Sequence, residues 1–445
     1  MKSIKLKTKF SEFSLDQMPQ QDSVVIIPTI KDTFKMNYGA HAYYFLNFKT
    51  SKGICIEISH KEIIEPGFTR FIQANYIKHK KFPVLKSLFQ KYHFGFNFIE
   101  QIMLLTVPHT VTELGNGRYI INLWAYFGYL EVDCKNKLVT YHINEEAESN
   151  NVFGSQQIYM SDTKDRYYMK YSLDDSLKKS LDPFQKVHSR IVKYNEELNQ
   201  TTEIWKEDFV DYLHDIIINK NKQYLVACEL GMFVDENNEL INSKVLVIDL
   251  INNKQWTISQ FKVAAHAQFD PDDPNIVYFS NHNFQFEHSN IVKLVINANY
   301  TLKFRGPASI YKYQLTPEGP KEIGVYTSPD LFRLTNFHVF KHKGNNLIAA
   351  MGAPNFIFIL EAENLQLIKI IELKEKKHFR DLYQNIPCYI GTFSPSLDGE
   401  KLYIQTQKSF QIIDIDSCKQ EFIRSYSFNH SCSNHMLVSR DTTSL

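Results

Sequence analysis

A chain of 445 residues with 50 Lys and Arg against 49 Asp and Glu carries a formal charge of +1. That balance excludes the broad positive field that recruits a phosphate backbone, so nucleic acid is not an expected partner. Six cysteines without a single C-x-x-C pair exclude a zinc ribbon or a redox dithiol.

The first residues, MKSIKLKTKF, are basic but lead into SEFSLDQMPQQD rather than into an apolar core with a small-residue cleavage site. No later stretch approaches the roughly 18 uninterrupted apolar residues of a spanning helix. The expectation is a cytoplasmic protein with no integral membrane span. Aromatic residues make up 14% of the chain, and short alternating apolar runs recur between Asn, Asp, Gly and Lys clusters, as in strands joined by hairpins.

In chain order, the first unit is YGAHAYYFLNFKTSKGICIEISH (38–60). The interval 60–107 then breaks the β pattern. Within it Val84, Leu85, Leu88, Phe89 and Tyr92 fall at helical spacing and Pro83 suits a first turn. Residues 81–105 are therefore expected to form a helical insertion between the first two units. It would pack on the rim, shape an apolar substrate entrance or touch a membrane surface. The second unit contains YIINLWAYFGYLEVDCKNKLVTYHI (119–143), the third spans 152–205, and the fourth contains YLVACELGMF and KVLVIDLINNKQWTIS (224–259). IVYFSNHNF with ASIYKYQLTPEGPKEIGVY (276–326), LIAAMGAPNFIFILEAENLQLIKII (347–371) and KLYIQTQKSFQIIDIDSCKQEFIRSY (401–426) complete the series.

Seven units of four short strands, repeating at roughly 40 to 55 residues, point to an all-β, seven-bladed β-propeller occupying 1–445 as one domain. The last run, SNHMLVSRD (433–441), has nothing after it to pair with and is expected to join the N-terminal blade, closing the ring. Only 16 glycines are present, so Asn, Asp and Lys must fill most turns. A double β-sandwich is the alternative architecture.

When the units are aligned on their first turn, a histidine recurs five or six residues before it: His109, His214, His266, His338 and His435. Gln157 and Ile390 hold the corresponding place in the third and seventh units. The first strand of each propeller blade lines the central axis, so these positions are expected to form a ring. Neutral imidazoles converging in a shielded channel suit a borderline transition metal, whereas Ca2+ or Mg2+ would call for carboxylates. Fe2+ is the first expectation, with Mn2+, Zn2+ and Cu as alternatives, held by His214, His266, His338 and His435 with His109 as a fifth member. His109, Gln157 and Glu113 are the expected acid, base or hydrogen-bonding groups. Glu113 and Glu229 are candidates to orient the imidazoles, while Asp215 points away in a regular strand. His282 is placed near the channel or at the rim.

The stretch DYLHDIIINKNKQYLV, with TVTELGNGRYIINLWAYFGYLEVD before it, resembles strands of the carotenoid cleavage oxygenases, four-histidine Fe(II) propellers. By blade order that resemblance implies ligand status for Gln157, His214, His266 and His435, the first of which departs from histidine. HAQFDPDDPNIVYFSNHNF is similar to a blade of the oligogalacturonate lyases, which implies manganese on three histidines and a glutamine, although the Cys and Glu of that strand are missing.

The expected function is that of a metal-dependent oxidoreductase of the oxygenase kind, acting on a small organic or lipophilic substrate in the channel. A metal-dependent lyase or isomerase of the same architecture is the second expectation. A non-catalytic propeller that presents its faces to partner proteins is the third.

Overall fold

The middle strands of the chain are apolar on both faces, and that requires a neighbour on each side. Tyr224–Glu229 and Ile276–Asn281 are buried at every position, whereas the outer strand Lys254–Phe261 alternates exposed and half-buried residues. A sheet sandwiched between two others produces this pattern.

The computed structural model describes residues 2–15, 24–31, 40–59, 108–123, 128–143, 151–172, 187–210, 213–229, 243–261, 264–282, 284–286, 302–304, 307–331, 336–352, 356–373, 390–406, 410–423 and 436–439. These form seven antiparallel sheets of four or five strands and one two-stranded ribbon. From the axis outward, blade two runs Pro108–Gly115, Arg118–Leu123, Gly128–Asp133, Leu138–Ile143. Blade three is Asn151–Met160, Asp165–Ser172, Val187–Asn195, Gln200–Val210. Blade four is Leu213–Ile218, Tyr224–Glu229, Ser243–Asp249, Lys254–Phe261. Blade five is Ala264–Phe269, Ile276–Asn281, Ala308–Thr316, Gly319–Ser328, with the ribbon Phe284–Phe286 and Leu302–Phe304 inserted after its second strand. Blade six is Phe337–His342, Asn345–Gly352, Phe356–Glu361, Leu367–Glu372, and blade seven Ile390–Pro395, Lys401–Thr406, Phe410–Asp414, Gln420–Ile423.

Blade one closes the ring with both chain ends. Leu437–Ser439 pairs antiparallel with Val24–Ile26 and supplies its innermost strand. Val24–Lys31, Ala40–Asn47 and Lys52–Ser59 follow outward. The N-terminal run adds strands outside two blades: Thr8–Ser14 covers Lys52–Ser59 of blade one, and Lys2–Lys5 covers Leu138–Ile143 of blade two. Its lysines alternate with Ile4, Leu6 and Phe10, which pack on the core between those blades. Two edges that would otherwise invite strand pairing are thus covered. The inner strands lie against one another in succession, and Leu437–Ser439 also touches Pro108–Gly115, so the ring is complete.

The core lies between blades. Six apolar clusters are found among the described residues, each joining two adjacent blades, such as Phe340, Ile357 and Leu373 of blade six with Phe393, Ile404 and Ile413 of blade seven. Blades two and three meet instead through a polar network. Arg166 donates to the Tyr129 hydroxyl at 2.6 Å and pairs with Glu196, and Tyr129 stacks on His142 with ring centroids 4.8 Å apart.

Asn and Lys do fill the turns. Asn116, Asn199, Asn253, Lys137, Lys164, Lys222 and Lys343 all take positive φ there. The expected helical insertion at 81–105 lies outside the described residues. Among the described residues no helix is long and apolar enough to cross a membrane.

Candidate functional site

Each propeller has two ends, and here they differ in backbone geometry. One end carries the tight turns between first and second and between third and fourth strands. At the other end the inner strands begin and the second strands finish, and the polar groups buried there include Thr110, Asn122, Asp215, Glu229, Ser280, Asn281, His282, Thr392 and Gln405.

The inner strands do not start regularly. Register slips between Pro108 and Thr110, Phe153 and Gln157, Leu213 and Asp215, Ala265 and Gln268, and Ile390 and Thr392. Such bulges leave residues unpaired and re-aim their side chains. His109 and His214 each occupy a one-residue bulge, and His266 lies in the gap between Ala265 and Gln268. His338 pairs regularly with Ala349. Gln157 closes a bulge rather than filling it, and in blade seven the bulged residue is Gly391, one past Ile390. The six aligned positions among the described residues therefore share an end of the propeller but not a register, because counting back from the turn assumes an unbroken two-residue period.

In three blades the side chain of the residue that closes the bulge links one blade to the next. The Asp215 carboxylate accepts the His266 backbone N–H. The Gln268 carboxamide accepts Val339 N–H at 2.9 Å and donates to the Phe337 carbonyl at 2.6 Å. The Thr392 hydroxyl accepts Met436 N–H at 3.1 Å. Asp215 was expected to face away, but alternation fails at a bulge. Its side chain is buried and its charge, after burial itself, helps push the neighbouring Cys228 thiol upward.

His266 has φ of 56°. Among the described residues, the other ten positive-φ residues that are not glycine all sit in turns at the opposite end. A non-glycine residue in this region inside a strand is held there by its surroundings, and such residues cluster at functional sites. Its imidazole stacks on that of His282, centroids 5.0 Å apart and planes 28° apart. His282 stands just past the end of the second strand of blade five and is buried. Next door, the Ser243 hydroxyl donates to the Glu229 carbonyl and accepts Ala264 N–H at 2.9 Å. This pins blade four to the start of blade five.

His338 is half-buried and meets Phe393 edge-on, centroids 5.0 Å apart. Gln157 is buried, and its carbonyl accepts the Thr112 hydroxyl at 2.8 Å. Glu113, half-buried opposite Tyr119, stands near the turn. At a strand rise of about 3.3 Å per residue its backbone lies roughly 13 Å along the strand from that of His109. His435 lies outside the described residues, as do the side chains of His109, His214 and Ile390. Among the described residues no three His, Cys, Asp or Glu side chains converge as a metal-binding group. His266 and His338 each pack against another ring instead.

No family model matches this chain, and no curated protein does. Among solved structures it is similar to a functionally unknown protein from Desulfotomaculum acetoxidans DSM 771, at 15% identity over 70% of this chain and 77% of that one, with a TM-score of 0.39. It is also similar to the periplasmic gluconolactonase PpgL of Pseudomonas aeruginosa, at 10% identity over 94% of this chain and 98% of that one, with a TM-score of 0.47. Likeness at this level transfers no function; the chain itself is an all-β, seven-bladed propeller.

Proposed function

We propose that this propeller is an enzyme acting on a small organic molecule at the end where its inner strands begin. The His266–His282 pair is its acid–base centre, and Asp215 is the group that holds His266 in place. The observation that carries this reading is the left-handed backbone of His266 inside a strand, bonded to Asp215 and stacked on His282. A neutral imidazole has one nitrogen to donate and one to accept, so it can take a proton from a substrate and return it near neutral pH.

The test is a small-molecule panel followed by thermal shift and by NMR for both binding and turnover. Compounds that bind wild-type protein are expected to lose binding to His266→Gly and His282→Ala, and to keep it with Lys343→Ala at the turn end. Hits indifferent to both histidine substitutions would overturn the reading.

A second reading is favoured by the matching bulges of His109 and His214, which bring two histidine positions to equivalent points of the ring. In it, one transition-metal ion is held by imidazoles of the set His109, His214, His266, His338 and His435, with Fe2+ first and Mn2+, Zn2+ or Cu behind it. Such an ion, when bound, activates O2 or polarises a substrate oxygen, which makes the protein an oxidoreductase of the oxygenase kind or a lyase. Metal analysis of untagged protein decides it. A stoichiometric transition metal supports this reading, and trace metal alone after anaerobic iron loading overturns it.

A further inference from the structure

We infer that the ligand of this site is a hydrogen-bond-donating molecule without negative charge, a polyol or an organic amine, received in part by the carboxamides of Asn122 and Gln157. The inference rests on the proposed reaction centre and specifies what it takes.

Two buried acceptors carry the argument. Asn122 Oδ1 and Gln157 Oε1 have no hydrogen-bond partner among the described residues. Asn122 is 1% exposed and Gln157 3%. Asn122 is the next-to-last residue of the second strand of blade two, and its amide donates to the Thr110 hydroxyl at 2.8 Å. Gln157 stands on the inner strand of blade three, which lies against both inner strands of blade two, Pro108–Gly115 and Arg118–Leu123. A buried oxygen left without a donor is destabilising, and nearly all such groups in folded proteins find one. Both carboxamides sit where apolar clusters join every other pair of neighbouring blades except this one. A hydroxyl or N–H from a ligand satisfies what the apolar packing does not reach.

Charge narrows the class. The carboxyl groups of Asp215 and Glu229 are buried at the same end. Among the described residues the buried lysine and arginine side chains are Lys312 and Arg166, and both are committed elsewhere. Arg166 is bound to Tyr129 and Glu196, and Lys312 Nζ donates to the carbonyls of Ala362 at 2.9 Å and Glu363 at 2.6 Å. A carboxylate or phosphate entering this end would be pressed against two carboxyl groups in a low-dielectric setting without a buried lysine or arginine to meet it. A hydroxyl or ammonium group meets acceptors.

The test uses four compounds that share one ring and differ in charge: glucosamine, glucose, glucuronate and glucose 6-phosphate. Their binding to the full chain is measured by saturation-transfer NMR and calorimetry. The amine and the neutral sugar are expected to bind at least about tenfold more tightly than the two anions, and Gln157→Met and Asn122→Leu to weaken them by about tenfold. This ranking is read on the wild-type chain alone, so it stands even if a variant fails to fold. Anions bound as tightly as the others, or binding by none of the four, overturn the ligand class. Anions whose binding depends on His266 overturn the class and leave the reaction centre. An amine or neutral sugar that responds to Gln157→Met but ignores His266→Gly does the reverse.

Discussion

The backbone N–H of His266 donates to the carboxylate of Asp215 on the inner strand of the preceding blade. That bond lies at the irregular start of a strand where His266 adopts φ of 56°. Removing the acceptor strands a partly buried N–H. Asp215→Ala is expected to cost about 1–3 kcal/mol, and Asp215→Asn, which keeps an acceptor, less. Urea unfolding of the three proteins checks the order.

His266 itself offers a separation of stability from function. Glycine adopts this backbone region without the steric cost that a Cβ brings, so His266→Gly is expected to be about 1 kcal/mol more stable than His266→Ala. Both lose the imidazole and, on the proposed function, both lose ligand binding. Equal stability of the two variants would show that the chain relaxes out of the left-handed region.

Two glycines in turns separate strain from collision. Gly344 has φ of 88° with open space where a Cβ would stand, whereas Gly399 has φ of 70° and its Cβ would run into the Lys341 carbonyl of the neighbouring blade. Gly399 also presents its carbonyl to His342 Nδ1 at 2.8 Å. Gly344→Ala is expected to cost about 1 kcal/mol and Gly399→Ala at least about 2–3 kcal/mol, visible as a larger drop in Tm.

Glu131 accepts from His142 at 3.1 Å and from Arg118 at 2.6 Å. Those hydrogen bonds, that of His142 foremost, hold its pKa at about 2 against an ordinary 4.5. Because the folded value is the lower one, its stabilisation is fully present above pH 4.5 and is lost as pH falls toward 2. Glu131→Gln is expected to cost roughly 1–2 kcal/mol at neutral pH and to flatten the acid limb of the stability profile over that window. Unfolding measured from pH 7 downward checks it.

Ring closure depends on a short strand. Truncation after His435 removes Leu437–Ser439, the innermost strand of blade one, together with its contacts to blades two and seven. Loss of cooperative unfolding is expected, with self-association through the exposed edge of Val24–Lys31. Deleting residues 1–14 uncovers only outer edges and is expected to lower Tm without abolishing the cooperative transition. Size-exclusion chromatography and calorimetry distinguish the two.

The blade sequence was legible because a strand buried on both faces leaves a plain trace. Runs such as YLVACE and IVYFSN, spaced by Asn and Lys turns, fixed the order of all seven sheets, and the unpaired SNHMLVSRD fixed how the ring closes. The lysine-rich start of the chain was less legible. Its alternation of Lys with Ile4, Leu6 and Phe10 marks edge strands, but which blades it covers depends on pairings more than a hundred residues away, Lys2 with Ile143 among them.

The site was legible only in outline. Residue type and spacing brought His109, His214, His266 and His338 to one end of the propeller, since every inner strand begins there. What each residue does there was decided by bulges, which have no composition signature in this chain. They moved Gln157 and Ile390 out of step, buried Asp215, turned His266 into the left-handed region and set it on His282. Periodicity is written in the order of residues, because burial acts on each strand locally. Register and partners arise in the assembled ring, because a bulge is settled by the neighbouring strand and blade it must fit.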